Sequence, residues 1–444
     1  MTDASAPRRT RLAPRLLLEA LVLVVLSFAG RALLVDAETI NRGEAGIDEA
    51  GWMAAGHDTW QLLLERRAVP QHRWSEGIQE TSYGYCNPAF GKLLIGWRLE
   101  RMGYAMPVPK VFPYLFPLKA SEAYKSTEWV SDKLREYRRY IQELRVLNAW
   151  LMALGAVGVY LVGRLLGGRL LGLAAWGWFV ATPLVREVAW PIGTDTTLLL
   201  TGLLALAAML AFVDRWTRER TSVLALAGGV ALIGVLLGLT ASSKLNGAVQ
   251  GFVFALALGG LWVRGRFRAY RPWEPALWLA LAATCTFGTF YLTNPYLWPD
   301  PVVGTQRILS RWKLILGYQN EAVVRGTIDG TAGKLGAVLE MGVLEAAPLG
   351  ALTPVVVPAL VFGGLLLLGG RALRSLRGGD ESVRPWIVLV WIALWVVATT
   401  AWIPFRWERY VLPVAAPVSL LATYPLVEGL RVGWRRLRRA PAAQ

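Results

Sequence analysis

The sequence predicts an all-α, polytopic integral membrane protein with about ten transmembrane helices. Three observations carry that expectation. Of the 444 residues, 55% are hydrophobic and only 18% are charged, below the roughly 25% charged residues of a typical soluble domain. Apolar stretches close to the ~20 residues that cross a bilayer recur along the whole chain. The net charge of +16 is concentrated in alternate connections between those stretches. The composition also excludes other classes. A disordered chain lacks the apolar content seen here. Two cysteines, Cys86 and Cys285, cannot make a disulfide scaffold. The basic residues are diluted by apolar runs, which argues against a nucleic-acid partner.

The spans fall at roughly 16–35, 144–163, 169–185, 195–213, 222–242, 245–263, 274–292, 347–370, 385–403 and 409–427. The first follows Arg8, Arg9, Arg11 and Arg15, and no small-residue cleavage motif comes after it, so it reads as an uncleaved signal anchor. The segments 1–15, 164–169, 214–220, 264–271, 371–384 and 428–444 hold 22 Lys and Arg against six acids, which accounts for the whole excess. By the positive-inside rule these segments and both termini are cytoplasmic, in a cell (inner or plasma) membrane. Anionic lipids are the expected partners of these basic segments, the tail Arg431–Arg439 included. The two long connections, 36–142 and 293–346, then lie outside, where function concentrates. In the first, Phe90, Leu93, Leu94 and Trp97 share one helix face, as do Val130, Leu134, Tyr137 and Ile141. These read as amphipathic helices at the interface, or as helices packed on one another. Ile308, Trp312 and Ile315 suggest a similar helix in the second connection. Trp150, Trp190, Trp273, Trp298 and Trp402 near span ends fit interfacial belts. Gly234 and Gly238 form a small-xxx-small pair that predicts close helix packing.

Ionisable residues gather at the outer ends of spans. They are Arg145 at the opening of the second span, Arg186, Glu187 and Asp195 around one outer connection, Lys244 between two spans, and Arg406, Glu408 and Arg409 before the last span. Each alone is explained by interfacial snorkelling. As a set beside Asp48 and Glu49 they suggest a site for a lipid phosphate, its tail lying between spans. Asp48 and Glu49 begin an apparent helix, where acids serve as N-terminal caps. A carboxylate there is also placed to act as a general base at the membrane surface. The only histidines, His57 and His72, have no metal-ligand spacing around them. No phosphate-binding Gly-rich loop and no Gly-x-Ser-x-Gly turn is present, which disfavours ATP-driven transport and serine hydrolysis.

Several blocks together resemble the GT-C membrane glycosyltransferases, the group that includes protein O-mannosyltransferases and bacterial aminoarabinose transferases acting on lipid A. Ile47-Asp48-Glu49-Ala50-Gly51-Trp52 resembles the family's Asp-Glu motif. Asn87-Pro88-Ala89-Phe90-Gly91-Lys92-Leu93 resembles its His-Pro-Pro-Leu-Gly-Lys block, with Asn87 in place of His and Ala89 in place of the second Pro. The stretch from Arg145 through Tyr160-Leu161-Val162-Gly163-Arg164 is similar to the second span, and Pro183 followed by Asp195 to the next pattern. Gly238-Leu239-Thr240 through Ser243-Lys244-Leu245-Asn246-Gly247 resembles a Gly-Leu-x-x-x-(Ser/Thr)-Lys block, and Arg409-Tyr410-Val411-Leu412-Pro413 an Arg-Tyr-x-Leu-Pro start of a late span. The blocks keep the family's order and cover most of the chain.

The resemblance implies a single GT-C-like transmembrane domain over 1–444. It implies transfer of a sugar from a polyprenyl-phosphate donor to a hydroxyl of a protein, lipid A or a glycan. The sugar would be a mannose-like hexose or a related pentose, and its anomeric carbon would be inverted. Asp48 would be the catalytic base and Glu49 would assist or orient the acceptor. Lys92, Arg145, Arg186, Lys244 and Arg409 would hold the donor phosphate, and Asn87, Asp195, Asn246 and Tyr410 would line the substrate site. No metal or other cofactor is implied as obligatory, though a divalent metal is compatible with this chemistry. A transporter or flippase for a lipid-linked or anionic substrate would use the same outer cations. It would also need ionisable pairs near the bilayer midplane and broken helices there. A non-enzymatic assembly protein would leave the blocks as packing features.

Overall fold

A computed structural model of the chain describes residues 12–41, 47–65, 88–104, 137–216, 222–263, 273–322, 328–345, 348–350, 353–377 and 382–439. Among them the chain is helical, with no extended strand. In chain order the helices are α1 (Leu12–Leu34), α2 (Ala37–Asn41), α3 (Ile47–Glu65), α4 (Phe90–Arg101), α5 (Arg138–Gly167), α6 (Arg169–Ala181), α7 (Pro183–Ala189), α8 (Asp195–Trp216), α9 (Val223–Ser243), α10 (Val249–Val263), α11 (Glu274–Leu292), α12 (Pro301–Ala322), α13 (Gly330–Leu339), α14 (Thr353–Leu376), α15 (Arg384–Trp402) and α16 (Glu408–Arg439). Among the described residues nine helical segments are long and apolar enough to cross a membrane. They coincide, within a few residues at most ends, with nine of the ten stretches expected from hydropathy. The tenth, 169–185, is two helices. Thr182 is extended before Pro183, because a residue preceding proline avoids the helical region. That leaves α6 with 13 residues, about 20 Å of helix.

The spans form a bundle with a distinct centre. α5 and α16 each pack on α6 and α8 and on one another, α9 joins α8 to α11, and α14 and α15 close the other side. Within the apolar window of α16, 83% is buried inside the protein, against 11% for α1 and 17% for α11. These two are rim helices, and exposed side chains such as Leu17, Phe28, Phe287 and Leu292 are suited to lipid. Close approach relies on glycine. A Cβ on Gly234 would come within 2.7 Å of Ala282 and Cys285, and one on Gly238 within 2.6 Å of Thr289, so the expected small-xxx-small pair presses α9 onto α11. The α5–α6 turn needs Gly168, whose φ of 82° suits a residue without a Cβ. At the end of the bundle away from the site, Glu19 meets Arg164 and Arg169, and Arg371 meets Glu428.

The helices of the first long connection pack on one another. Trp52, Met53, Ile95, Leu99, Tyr104, Tyr137, Ile141 and Leu144 form a small core of their own beneath α3, α4 and the start of α5. Gly56 and Gly96 let α3 and α4 touch along the backbone; a Cβ on Gly96 would lie 2.2 Å from the Gly56 carbonyl oxygen. Burial, then Tyr137, Tyr140 and Asp58, push the Tyr104 phenol well above its ordinary range. The expected helix face at Val130 and Leu134 lies outside the described residues, as do Cys86 and Asn87. The helix expected around Ile308 and Trp312 is present as α12, with Trp312 stacked on Trp402 at 4.2 Å.

Candidate active site

The site forms where the first turn of α3 meets the ends of α5, α8, α9 and α16. Asp48 is the second residue of α3, and its side chain lies outside the described residues. Glu49, next in the chain, is buried and anchors that turn. Its Oε1 accepts hydrogen bonds from Arg145 Nε at 2.8 Å and from the Ile192 amide at 3.2 Å, and its Oε2 accepts from Arg145 Nη2 at 2.6 Å. Arg145 donates its remaining Nη1 to the Ile40 carbonyl and packs against the Trp190 ring at 4.8 Å. Both side chains are at most 3% exposed. A two-pronged carboxylate–guanidinium pair survives such burial because its polar atoms are bonded. The pair therefore clamps α2, α3 and the α7–α8 connection to α5.

Asn148 lies one turn further along α5 and shapes that connection. Its amide nitrogen donates to the carbonyls of Ala189 at 3.2 Å and Pro191 at 2.7 Å, and its oxygen accepts from Thr196 at 2.6 Å. Asp195 then starts α8, where an acid suits the helix N-terminus. Lys244 leaves the C-terminus of α9 in extended conformation and donates from Nζ to Asp195 Oδ1 at 2.5 Å. Its Nζ also lies 5.8 Å from the Tyr410 ring. Asn246 sits in the 3-10 turn Leu245–Ala248, its buried side-chain oxygen without a partner among the described residues.

A second amide joins the two lysine-bearing blocks. Asn294 follows α11. Its oxygen accepts from the Ala89 amide at 2.7 Å, while its nitrogen donates to Ser242 Oγ at 2.7 Å. The start of α4 and the end of α9 are thereby tied through one side chain. Gly91 permits the contact with α8, since a Cβ there would meet Thr194 at 2.6 Å. Lys92 is fully buried, with Nζ 5.6 Å from the Tyr296 ring, and the Tyr296 hydroxyl bonds that of Thr59.

At the start of α16, Arg409 packs on Trp407 at 3.3 Å and lies 5.9 Å from the Tyr410 ring. These elements enclose a cavity of about 270 Å³ lined by Glu49, Glu187, Trp190, Asp195, Trp407 and Arg409, among others. So Glu49, Asp195 and Arg409 share one cavity, with Arg145, Lys244 and Tyr410 held directly behind it. Arg186 does not line it; the side chain is exposed and donates to the Val180 carbonyl of the preceding helix. Lys92 belongs to the neighbouring Asn294 cluster. No group of three or more His, Cys, Asp or Glu suited to a metal occurs among the described residues. Sequence reasoning passed over Asn148, Asn294, Tyr296 and Trp407. An amide inside an apolar span is expensive unless bonded, and that cost marks Asn148 as a residue worth singling out.

No protein-family model matches the chain, and no curated protein matches it. Solved structures do. The oligosaccharyltransferase of Archaeoglobus fulgidus, crystallised with zinc and sulfate, superposes with a TM-score of 0.54 at 16% identity, over 95% of this chain and 51% of its own. The oligosaccharyltransferase AglB from Archaeoglobus fulgidus, in complex with an inhibitory peptide and a dolichol-phosphate, gives 0.51 at 13% identity, over 96% and 52%. ArnT from Cupriavidus metallidurans in the apo state gives 0.50 at 16% identity, over 96% and 62%. AglB and ArnT are GT-C membrane glycosyltransferases. The chain therefore has the GT-C fold that its motif order resembles, and it spans half to three-fifths of the length of these proteins.

Proposed function

We propose that the chain is a membrane glycosyltransferase that moves a sugar from a polyprenyl-phosphate donor to a hydroxyl acceptor on the extracytoplasmic side. The observation that carries this reading is the convergence of Glu49, Asp195 and Arg409 on one cavity, with Lys244 bonded to Asp195. Acid and cation clusters that are far apart in sequence meet at the start of the helix bearing Asp48. The GT-C fold adds weight, as does the dolichol-phosphate bound by the archaeal protein of that fold.

In the proposed reaction Asp48 takes the proton of the acceptor hydroxyl. The oxygen attacks the anomeric carbon from the face opposite the phosphate, and the bond from that carbon to the phosphate oxygen breaks. The anomeric centre is inverted and polyprenyl phosphate leaves with the bonding electrons. Lys244 and Arg409 stabilise the charge gathering on the leaving phosphate. Lys92 joins them from the Asn294 cluster. Glu49 and Arg145 bond each other, so their part is to hold Asp48 in place. Glu49 orients the first turn of α3 rather than taking a proton. A transporter would need its ionisable pairs near mid-span. Here Asp195 begins α8 and Lys244 follows the last residue of α9, which favours the enzyme.

The test uses the purified full chain, a panel of polyprenyl-phosphate hexoses and pentoses, and protein, lipid A and glycan acceptors. Wild type should transfer one of these sugars, and Asp48→Asn should reduce turnover at least about 100-fold, as loss of a general base does. Wild-type turnover in a folded Asp48→Asn protein would overturn the mechanism. Transport of an intact lipid-linked sugar without transfer would favour the flippase.

A further inference from the structure

The cavity brings two kinds of group together. Arg409 on its wall, and Lys244 bonded to Asp195 behind it, are cations suited to a phosphate. The rest of the wall includes two indoles, Trp190 and Trp407, and two carboxylates, Glu187 and Glu408. Each indole also packs on a guanidinium, Trp190 on Arg145 at 4.8 Å and Trp407 on Arg409 at 3.3 Å, which fixes its orientation. Glu49 and Asp195 are neutralised by Arg145 and Lys244. Glu187 and Glu408 have no hydrogen bond or ion pair from their side chains to another described residue, and both are exposed at the cavity.

We propose that Trp190, Trp407, Glu187 and Glu408 form the subsite for the donor's sugar and select a sugar that carries no negative charge. This rests on the reading of the chain as a polyprenyl-phosphate glycosyltransferase. Three physical arguments support it. The C–H face of a sugar ring is apolar and suits the flat face of an indole, which buries a large area at low conformational cost. Carboxylates accept hydroxyl protons in charge-assisted hydrogen bonds, about twice as strong as neutral ones. A uronic acid would instead bring its carboxylate against Glu187 and Glu408, and like charges placed together reject a wrong partner.

The experiment measures binding to the purified full chain of polyprenyl-phosphate mannose, polyprenyl-phosphate glucose, polyprenyl-phosphate glucuronic acid and bare polyprenyl phosphate. A neutral hexose should strengthen binding over the bare phosphate, and glucuronic acid should bind about tenfold or more weakly than that hexose. Trp190→Ala should remove about tenfold from the hexose donor with bare phosphate little changed, whereas Trp190→Phe should keep most of the gain. Glu187→Gln with Glu408→Gln, both at exposed positions, should abolish the discrimination against glucuronic acid. The inference is overturned if glucuronic acid binds as well as every neutral hexose, or if the sugar adds nothing to the bare phosphate. It is also overturned if the double Gln variant still rejects the uronic donor. Failure of the parent reading looks different: bare polyprenyl phosphate itself would not bind, or would bind equally to Lys244→Ala.

Discussion

At the scale of single residues the site rests on two buried ion pairs with different work. Glu49–Arg145 is sealed, each partner at most 3% exposed. Removing one member leaves the other charged group without its counter-ion in an apolar surrounding. Glu49→Gln is therefore expected to destabilise the protein by about 3 kcal/mol or more, seen as a fall in thermal midpoint. An unchanged midpoint would mean that Arg145 finds another partner. Asp195–Lys244 is more open, at 10% and 12% exposed, and bounds the cavity on one side. Lys244→Ala should weaken donor binding about tenfold or more while the fold persists, since a hydrogen bond to a charged group contributes roughly 1.5–3 kcal/mol. Equal donor affinity in variant and wild type would remove Lys244 from the phosphate site.

Elements show why part of this was legible in the sequence and part was not. Span positions are local properties, since apolar length alone sets them, and nine of the expected stretches coincide with helices of the bundle. The stretch 169–185 is also apolar throughout, yet Pro183 divides it, because backbone geometry overrides hydropathy. Asp48, Glu49 and Lys244 stood out because charge is rare beside spans. Asn148 and Asn294 did not, because amides follow no period and their partners are remote; Asn294 reaches Ala89, 205 residues away. The contact of α3 with α4 is similarly hidden, as nothing local marks Gly56 and Gly96 as facing each other. Gly96→Ala would drive a methyl group into the Gly56 carbonyl. The expected cost is about 1–3 kcal/mol, with turnover reduced because α3 carries Asp48. A variant as active and stable as wild type would show that α3 shifts freely.

For the whole molecule the distribution of charge makes an orientation testable. Among the described residues, Arg164, Arg169, Arg371 and Arg431 lie at the bundle end away from the cavity, where Arg371 and Arg431 both bond Glu428 and so join α14 to α16. Cysteines introduced at Arg377 and at Asp300, both exposed, should label from opposite sides of a sealed membrane vesicle, Asp300 from the side of the proposed site. Labelling of both from one side would refute the two-ended arrangement. The bundle also has a buried centre and rim helices: α16 is 83% buried across its apolar window and α1 only 11%. Separation of an intact span from the bundle, rather than its unfolding, should therefore begin at α1.

The Asn294 bridge has a consequence for redesign. Because one amide grips both the Ala89 backbone and Ser242, the blocks carrying Lys92 and Lys244 behave as a single jaw. Any attempt to widen the site for a bulkier donor by moving one block will drag the other along. Changing the donor range is thus better begun at the opposite jaw, at Trp407 and Arg409, which the bridge does not touch.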